Sequence, residues 1–289
     1  RDLSALGPGQ CRYAPLVAAD GGMLNDPVIL EVGPQCYWVS IADLDIRLWM
    51  EGIAAGMALD ATVEEPEVYP LAVQGPKAEV LMARVFGAAV HDIRFFRFAW
   101  LAFEGRPLIV ARSGYSKQGG FEIYVDDPTR SVPLWDRLMA EGRELGVRAG
   151  GPNLVERIEG GLLSYGNDMT RANTPYECGV GSVCRLDTDP RCLAAPALRA
   201  EAEQGPRRMV RGVRIDGGRI PLCREAWPIA VRGETVGMVT SAAWSPDLET
   251  NVAIAMVETP FAEAGTPITV EAPDGVRTGS ICTLPHVNG

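Results

Sequence analysis

The chain reads as an α+β protein. A region of mixed and antiparallel strands with intervening helices covers residues 1–204, and a small antiparallel β-barrel or jelly-roll domain covers 205–289. Three observations predict this. Apolar residues recur at helical spacing in Asp43–Met57, in the run after Gly75-Pro76 and in Ser131–Leu145, with short strand-like runs between them. An Ala-, Pro- and charge-rich stretch, Asp187 to Arg208, has the composition of a linker. Beyond it come only short strands and turns: V-R-G-V-R-I, W-P-I-A-V, T-V-G-M-V-T-S-A, V-A-I-A-M-V, P-I-T-V-E-A and T-G-S-I-C-T-L.

Taken in order, Cys11–Val17 and Leu24–Val32 read as strands joined by an Asp20-Gly21-Gly22 turn, and Gly33-Pro34 leads into a third, Cys36–Ile41. Asp26 lies inside the apolar run M-L-N-D-P-V-I-L, with Tyr13 and Ser40 on neighbouring strands. A carboxylate there costs several kcal/mol unless hydrogen-bonded, so it is either paired internally or held for a ligand. Asp43 is placed to cap the first helix. Residues 59 to 74 suggest two strands around Glu64-Glu65-Pro66-Glu67, followed by a helix that Gly87 stops. The aromatic segment F-F-R-F-A-W-L-A-F, ending at Phe103, fits a buried strand, a ligand-facing wall, or both.

The most distinctive stretch is R-S-G-Y-S-K-Q-G-G-F-E-I-Y-V, Arg112 to Val125. A strand delivers Tyr115 into a glycine-rich turn, and a second strand presents Glu122 and Tyr124 on one face. The glycines permit a tight turn and close approach to a flat ligand. Glu122 between aromatics suits a heterocycle with N–H donors; it equally suits a solvated hairpin with core aromatics. Further on, Pro152 opens a helix carrying Arg157, which could clamp a carboxylate or form an internal salt bridge. Asp168 in Y-G-N-D-M-T reads as a turn or cap residue.

Composition narrows the function. A net charge of −10 argues against a nucleic-acid surface. No apolar run approaches the roughly 18 residues of a membrane span. Seven cysteines without a C-x-x-C pair read as reduced thiols of a cytoplasmic protein. With only His91 and His286, metal ligation and histidine-based nucleophilic catalysis are both disfavoured. The start at R-D-L-S-A-L, without Met, is expected to lie inside a longer protein.

Several stretches together resemble the tetrahydrofolate-dependent methyl and aminomethyl transferases typified by the T-protein of the glycine cleavage system. They are D-G-G-M-L-N-D-P-V, Y-W-V-S-I-A-D, Y-P-L-A-V-Q-G-P-K-A, the Arg112–Val125 motif, E-R-I-E-G-G-L-L-S-Y-G-N-D-M-T and T-P-Y-E-C-G-V-G. Their order is the family's, and they span essentially the whole chain. The resemblance implies a T-protein-like folate-binding fold with a C-terminal barrel, and tetrahydrofolate as methyl acceptor with no metal. It implies that Glu122 binds the pterin edge, that Tyr13, Ser40, Tyr115 and Tyr124 line the folate cleft, that Arg157 meets the glutamate tail, and that Asp26 stands beside the reacting nitrogens. Departures from the T-protein pattern, Ser40 in place of Asn and Ser116-Lys117-Gln118 in the turn, imply a demethylase branch. Its substrate would be a small sulfonium zwitterion whose methyl is already activated, held by cation–π contacts from Trp100, Tyr124 or Tyr115. The resemblance brings in neither nucleic acid nor membrane, and a homodimer stays open. Two alternatives remain: aminomethyl transfer from a lipoyl-carried intermediate, and a non-catalytic folate-binding module of iron–sulfur maturation. The latter's K-G-C-Y-x-G-Q-E motif is missing from T-P-Y-E-C-G-V-G.

Overall fold

The computed structural model of the chain describes residues 3–41, 44–186 and 192–286. The chain forms two compact units, each discontinuous in sequence. One comprises Ala5–Arg12 and Val28–Gly151; the other comprises Tyr13–Pro27 and Pro152–Gly289, with Arg1–Ser4.

Near the amino end lie β1 (Cys11–Tyr13), β2 (Leu16–Val17), β3 (Met23–Asn25), β4 (Val28–Gly33) and β5 (Cys36–Ser40). The strand expected over 24–32 is broken at Asp26-Pro27. Proline has no N–H for the ladder, so pairing stops there and restarts in β4. As a result Asp26 lies outside any strand, and β2 and β3 form a sheet separate from that of β1, β4 and β5. Helix α1 (Arg47–Gly56) follows, with Ile46 before its first turn. The proposed cap, Asp43, lies outside the described residues. Of the two strands expected between 59 and 74 only β6 (Tyr69–Gln74) forms. The acidic run ahead of it, interrupted by Pro66, is irregular and largely exposed.

Next come α2 (Ala78–Phe86), ended by Gly87 at φ 85°, then β7 (Phe98–Phe103), β8 (Arg106–Ala111), β9 (Gly120–Val125) and α3 (Ser131–Gly142). The order β6-β9-β8-β7 makes one antiparallel four-stranded sheet. Its two faces carry separate cores. Leu101, Phe103, Leu108, Val110, Phe121 and Ile123 pack with Leu81 and Met82 of α2 and Leu134 and Leu138 of α3. On the other face Phe98, Ile109, Ala111 and Tyr124 pack with Cys11 and Leu30. Alternation along β9 therefore puts Phe121 and Ile123 under the helices and turns Glu122 and Tyr124 the other way.

In the other unit α4 (Leu154–Glu159) starts two residues later than Pro152 suggests. Its cap is Asn153, whose side-chain oxygen accepts from Val155 N–H at 3.0 Å and Glu156 N–H at 3.3 Å. The stretch expected to be a linker contains a helix, α5 (Ala195–Gln204). Buried Ala195 and Leu198 give it an apolar side that the Ala- and Pro-rich composition concealed. Then β10 (Arg208–Ile215), β11 (Trp227–Val231), β12 (Glu234–Ser245), β13 (Thr250–Glu258), β14 (Pro267–Ala272) and β15 (Gly275–Cys282) close an antiparallel barrel in the order β10-β13-β12-β11-β14-β15. Ala253, Ala255 and Val257 fill its interior, while Val252, Ile254 and Met256 pack outward with Ile158 of α4. That double burial explains why β13 is apolar from Val252 to Val257 instead of alternating. The barrel strands begin close to the expected boundary at 204/205, but the compact unit reaches back to Pro152.

Candidate functional site

In the unit containing the barrel, Asp26 follows directly on β3. Its backbone N–H is held by Asn25 Oδ1 at 2.8 Å, and Tyr13 donates its hydroxyl to Asp26 Oδ2 at 3.2 Å. Burial pushes the Asp26 pKa up to about 6, against the lowering effect of Tyr13 and of the backbone. The Tyr13 phenol is itself raised, first by burial and then by the neighbouring carboxylate. The pair is a desolvated carboxylate with one oriented donor, suited to take a proton near neutral pH.

In the other unit, Glu122 and Tyr124 share a face of β9. Register places Trp100, Ile109 and Tyr124 in one row across β7, β8 and β9, and Phe98, Ala111 and Glu122 in the next. Tyr124 is buried, and its ring lies 5.8 Å from that of Trp38 at an interplanar angle of 44°. Burial, and after it the charge of Glu122, raise its pKa; Ser40 at the end of β5 weakly opposes the shift. The Tyr124 hydroxyl has no hydrogen-bond partner of ordinary geometry among the described residues. Ser40 is the side chain that acts on it, and a bound polar ligand would complete its hydrogen bonding. Trp100 lies on the same face at the sheet edge, 48% exposed, and Tyr115 in the turn is 37% exposed.

The Arg112–Val125 turn departs from the expected role of its glycines. A side chain on Gly120 would collide with the carbonyl oxygen of Val73, and one on Gly114 with the amide of Gln74. Neighbouring protein groups, not open space for a ligand, occupy those positions. Gln74 Nε2 donates to Ser113 O at 3.0 Å and to Phe121 O at 3.2 Å, and its Oε1 accepts from Ser116 Oγ at 2.8 Å. Ser113 in turn donates to Glu122 Oε2. Sequence reasoning missed Ser113, Gln74 and Trp38, because nothing in their local pattern separates them from ordinary strand and turn residues.

Arg157 is placed otherwise than expected. It is 6% exposed, its Nη1 meets Asp168 Oδ2 at 2.7 Å and its Nη2 donates to Ser241 Oγ at 2.6 Å. The guanidinium is committed to an internal ion pair and presents no open fork to a folate tail. Asp168, read from sequence as a turn residue, is 2% exposed and is the centre of that pair.

Comparison with known proteins agrees with this architecture. The GCVT N-terminal domain family matches residues 1–188, and the glycine cleavage T-protein C-terminal barrel domain matches residues 207–288. The chain belongs to the glycine cleavage T-protein family. Among the relatives of this T-protein-family chain is dimethylsulfoniopropionate demethylase DmdA of Ruegeria pomeroyi, 53% identical over 277 residues, which are 96% of this chain and 75% of the relative. An aminomethyltransferase of Bacillus cereus is 30% identical over 275 residues, 93% of this chain and 74% of the relative. The crystal structure of glycine cleavage system aminomethyltransferase T from Bartonella henselae superposes with a TM-score of 0.83 at 24% identity, covering 99% of this chain and 78% of that one. The last establishes the fold alone. Among the described residues no helix is long and apolar enough to cross a membrane, and no group of three or more His, Cys, Asp or Glu is placed to hold a metal ion.

Proposed function

We propose that this chain is a tetrahydrofolate-dependent methyltransferase that demethylates dimethylsulfoniopropionate to 3-methylmercaptopropionate. The observation that carries the reading is the 53% identity to a dimethylsulfoniopropionate demethylase along 96% of the chain. The site chemistry supports it. Tetrahydrofolate, when bound, supplies N5 as the methyl acceptor. The sulfonium C–S bond breaks with its electron pair remaining on sulfur, so the leaving group is a neutral thioether that needs no acid. One proton must leave N5, and Asp26 is the residue for it: ionised above about pH 6, desolvated, and oriented by Tyr13.

Glu122 would accept from the N–H edge of the pterin, and the buried Tyr124 hydroxyl would complete its hydrogen bonding with the ligand, with Ser40 and Tyr115 as further folate contacts. For the sulfonium, the Trp38–Tyr124 pair offers aromatic faces worth roughly 0.5–2 kcal/mol each, with Trp100 on the same sheet face. Little further machinery is needed, since the rate gain comes mainly from aligning donor and acceptor away from water.

The test is incubation of the full-length protein with tetrahydrofolate and dimethylsulfoniopropionate without oxygen, followed by chromatography. Formation of 5-methyltetrahydrofolate with 3-methylmercaptopropionate is expected. Folate binding with no methyl product, together with turnover of a lipoyl-bound aminomethyl group, would replace the reading by aminomethyl transfer. Glu122→Ala should weaken tetrahydrofolate binding about tenfold or more by calorimetry.

A further inference from the structure

We infer that Ser113 is a positioning residue for the folate-binding carboxylate of Glu122, and that Gln74 is the clasp that keeps Ser113 in place. The inference rests on the reading of Glu122 given above and adds how that side chain is aimed.

Glu122 stands on β9 with a flexible side chain on a face where its neighbours in register are Ala72 and Ala111. Two methyl-bearing neighbours leave the carboxylate laterally unsupported. The Ser113 hydroxyl supplies the support by donating to Oε2. That bond fixes the plane of the carboxylate and leaves its remaining lone pairs, on both oxygens, to accept from ligand N–H groups. Ser113 is 4% exposed, so its hydroxyl is a built feature of the interior.

What keeps Ser113 there is not a ladder partner. β8 ends at Ala111 and β9 begins at Gly120, so Ser113 opens the turn between them. The amide of Gln74 reaches over from β6, donating to the carbonyl of Ser113 at one end of the turn and to that of Phe121 at the other. Its own oxygen accepts from Ser116 inside the turn. All three amide bonds thus converge on the nine residues that carry Ser113 and precede Glu122. The glycines belong to the same device, since a side chain at Gly114 would occupy the space of the Gln74 amide. A carboxylate fixed by one donor loses less freedom when a ligand arrives, so the bond acts on affinity through preorganisation.

The experiment is a double-mutant cycle in the full-length protein with Ser113→Ala, Glu122→Ala and the pair, reading tetrahydrofolate dissociation constants by calorimetry, KM for the sulfonium substrate, and thermal melting. Ser113→Ala removes one oxygen and leaves the backbone carbonyl that Gln74 uses. It should weaken folate binding about fivefold to thirtyfold, a span typical of one hydrogen bond to a charged group, with the KM for the sulfonium substrate unchanged. In the Glu122→Ala background the same change should have no further effect on folate binding. Ser113→Ala binding folate like the parent while Glu122→Ala binds weakly would overturn the positioning role and leave the Glu122 reading intact. Equal losses in both backgrounds would also overturn it. Unaltered binding by Glu122→Ala would remove the underlying reading itself.

Discussion

The Asp26 carboxylate couples stability to activity. In the unfolded chain it titrates near the ordinary aspartate value of roughly 3.9; in the fold, burial holds its pKa at about 6. Between those values the native state keeps a proton that the unfolded state has lost, so stability falls as pH rises through the window. Above it the ionised carboxylate is a full net cost, of roughly 1–3 kcal/mol. Asp26→Asn keeps an oxygen for Tyr13 and removes the charge. It should therefore unfold at higher urea than the parent at pH 7.5 and at the same urea near pH 4. A variant no more stable at pH 7.5 would mean that the carboxylate is not desolvated. The same change should lower the methyl-transfer rate by about a hundredfold or more and abolish the fall in activity below pH 6. Stability and activity moving in opposite directions is the signature of a strained functional carboxylate. The desolvation of this carboxylate was legible in sequence, because an Asp in an otherwise apolar run must be either paired internally or held for a ligand. Ser113 was not, since a serine before a glycine in a turn is ordinary.

At the scale of elements, legibility followed pattern. Strands bounded by glycine and proline, such as β10 to β15, and helices stopped by a glycine, such as α2, were readable because the punctuation is local. The failures have local competition or distant causes. Pro27 split a strand whose apolar pattern ran straight through it, and α5 formed in a stretch whose composition resembled a linker. The glycine-rich turn was found for its glycines, and the tight turn they were expected to make is there, with Gly119 at φ 73°; the close approach of Gln74 to Gly114 was not legible, because Gln74 is distant in sequence. Gly119 at φ 73° has nothing near its missing side chain, whereas at Gly120, φ 153°, a Cβ would meet the β6 backbone. Gly119→Ala should therefore cost only the left-handed conformation, about 1 kcal/mol. Gly120→Ala should cost more than about 2 kcal/mol and weaken the β6–β9 pairing. Urea midpoints and amide exchange at Val73 and Phe121 would distinguish the two; equal effects would mean that the approach of β6 to Gly120 is loose.

At the scale of the molecule, the least legible feature is the buried charge cluster in the unit that contains the barrel. Arg157 on α4 and Asp168, eleven residues on, form the ion pair. Ser241 and Thr240 of β12 complete it, each donating to Asp168 Oδ1, at 2.6 and 2.7 Å. No periodicity in the sequence announces a partner more than seventy residues away, which is why Arg157 could be read as a ligand clamp. The cluster ties α4 to the outside of the barrel, alongside the apolar contacts of Ile158 with Val252, Ile254 and Met256. This is the physical reason why the compact unit extends back to Pro152 when the barrel itself starts near Arg208. Removing one member of such a pair leaves the other charge buried and uncompensated, at about 3–5 kcal/mol. Arg157→Ala should therefore lower the melting temperature sharply and open the barrel surface under α4 to proteolysis, while below that temperature tetrahydrofolate binds within about threefold of the parent. A variant that melts normally yet binds folate weakly would return Arg157 to the ligand. The internal pair requires the opposite ordering, because both terminal nitrogens of this buried arginine are engaged inside the unit, by Leu162 O, Asp168 and Ser241.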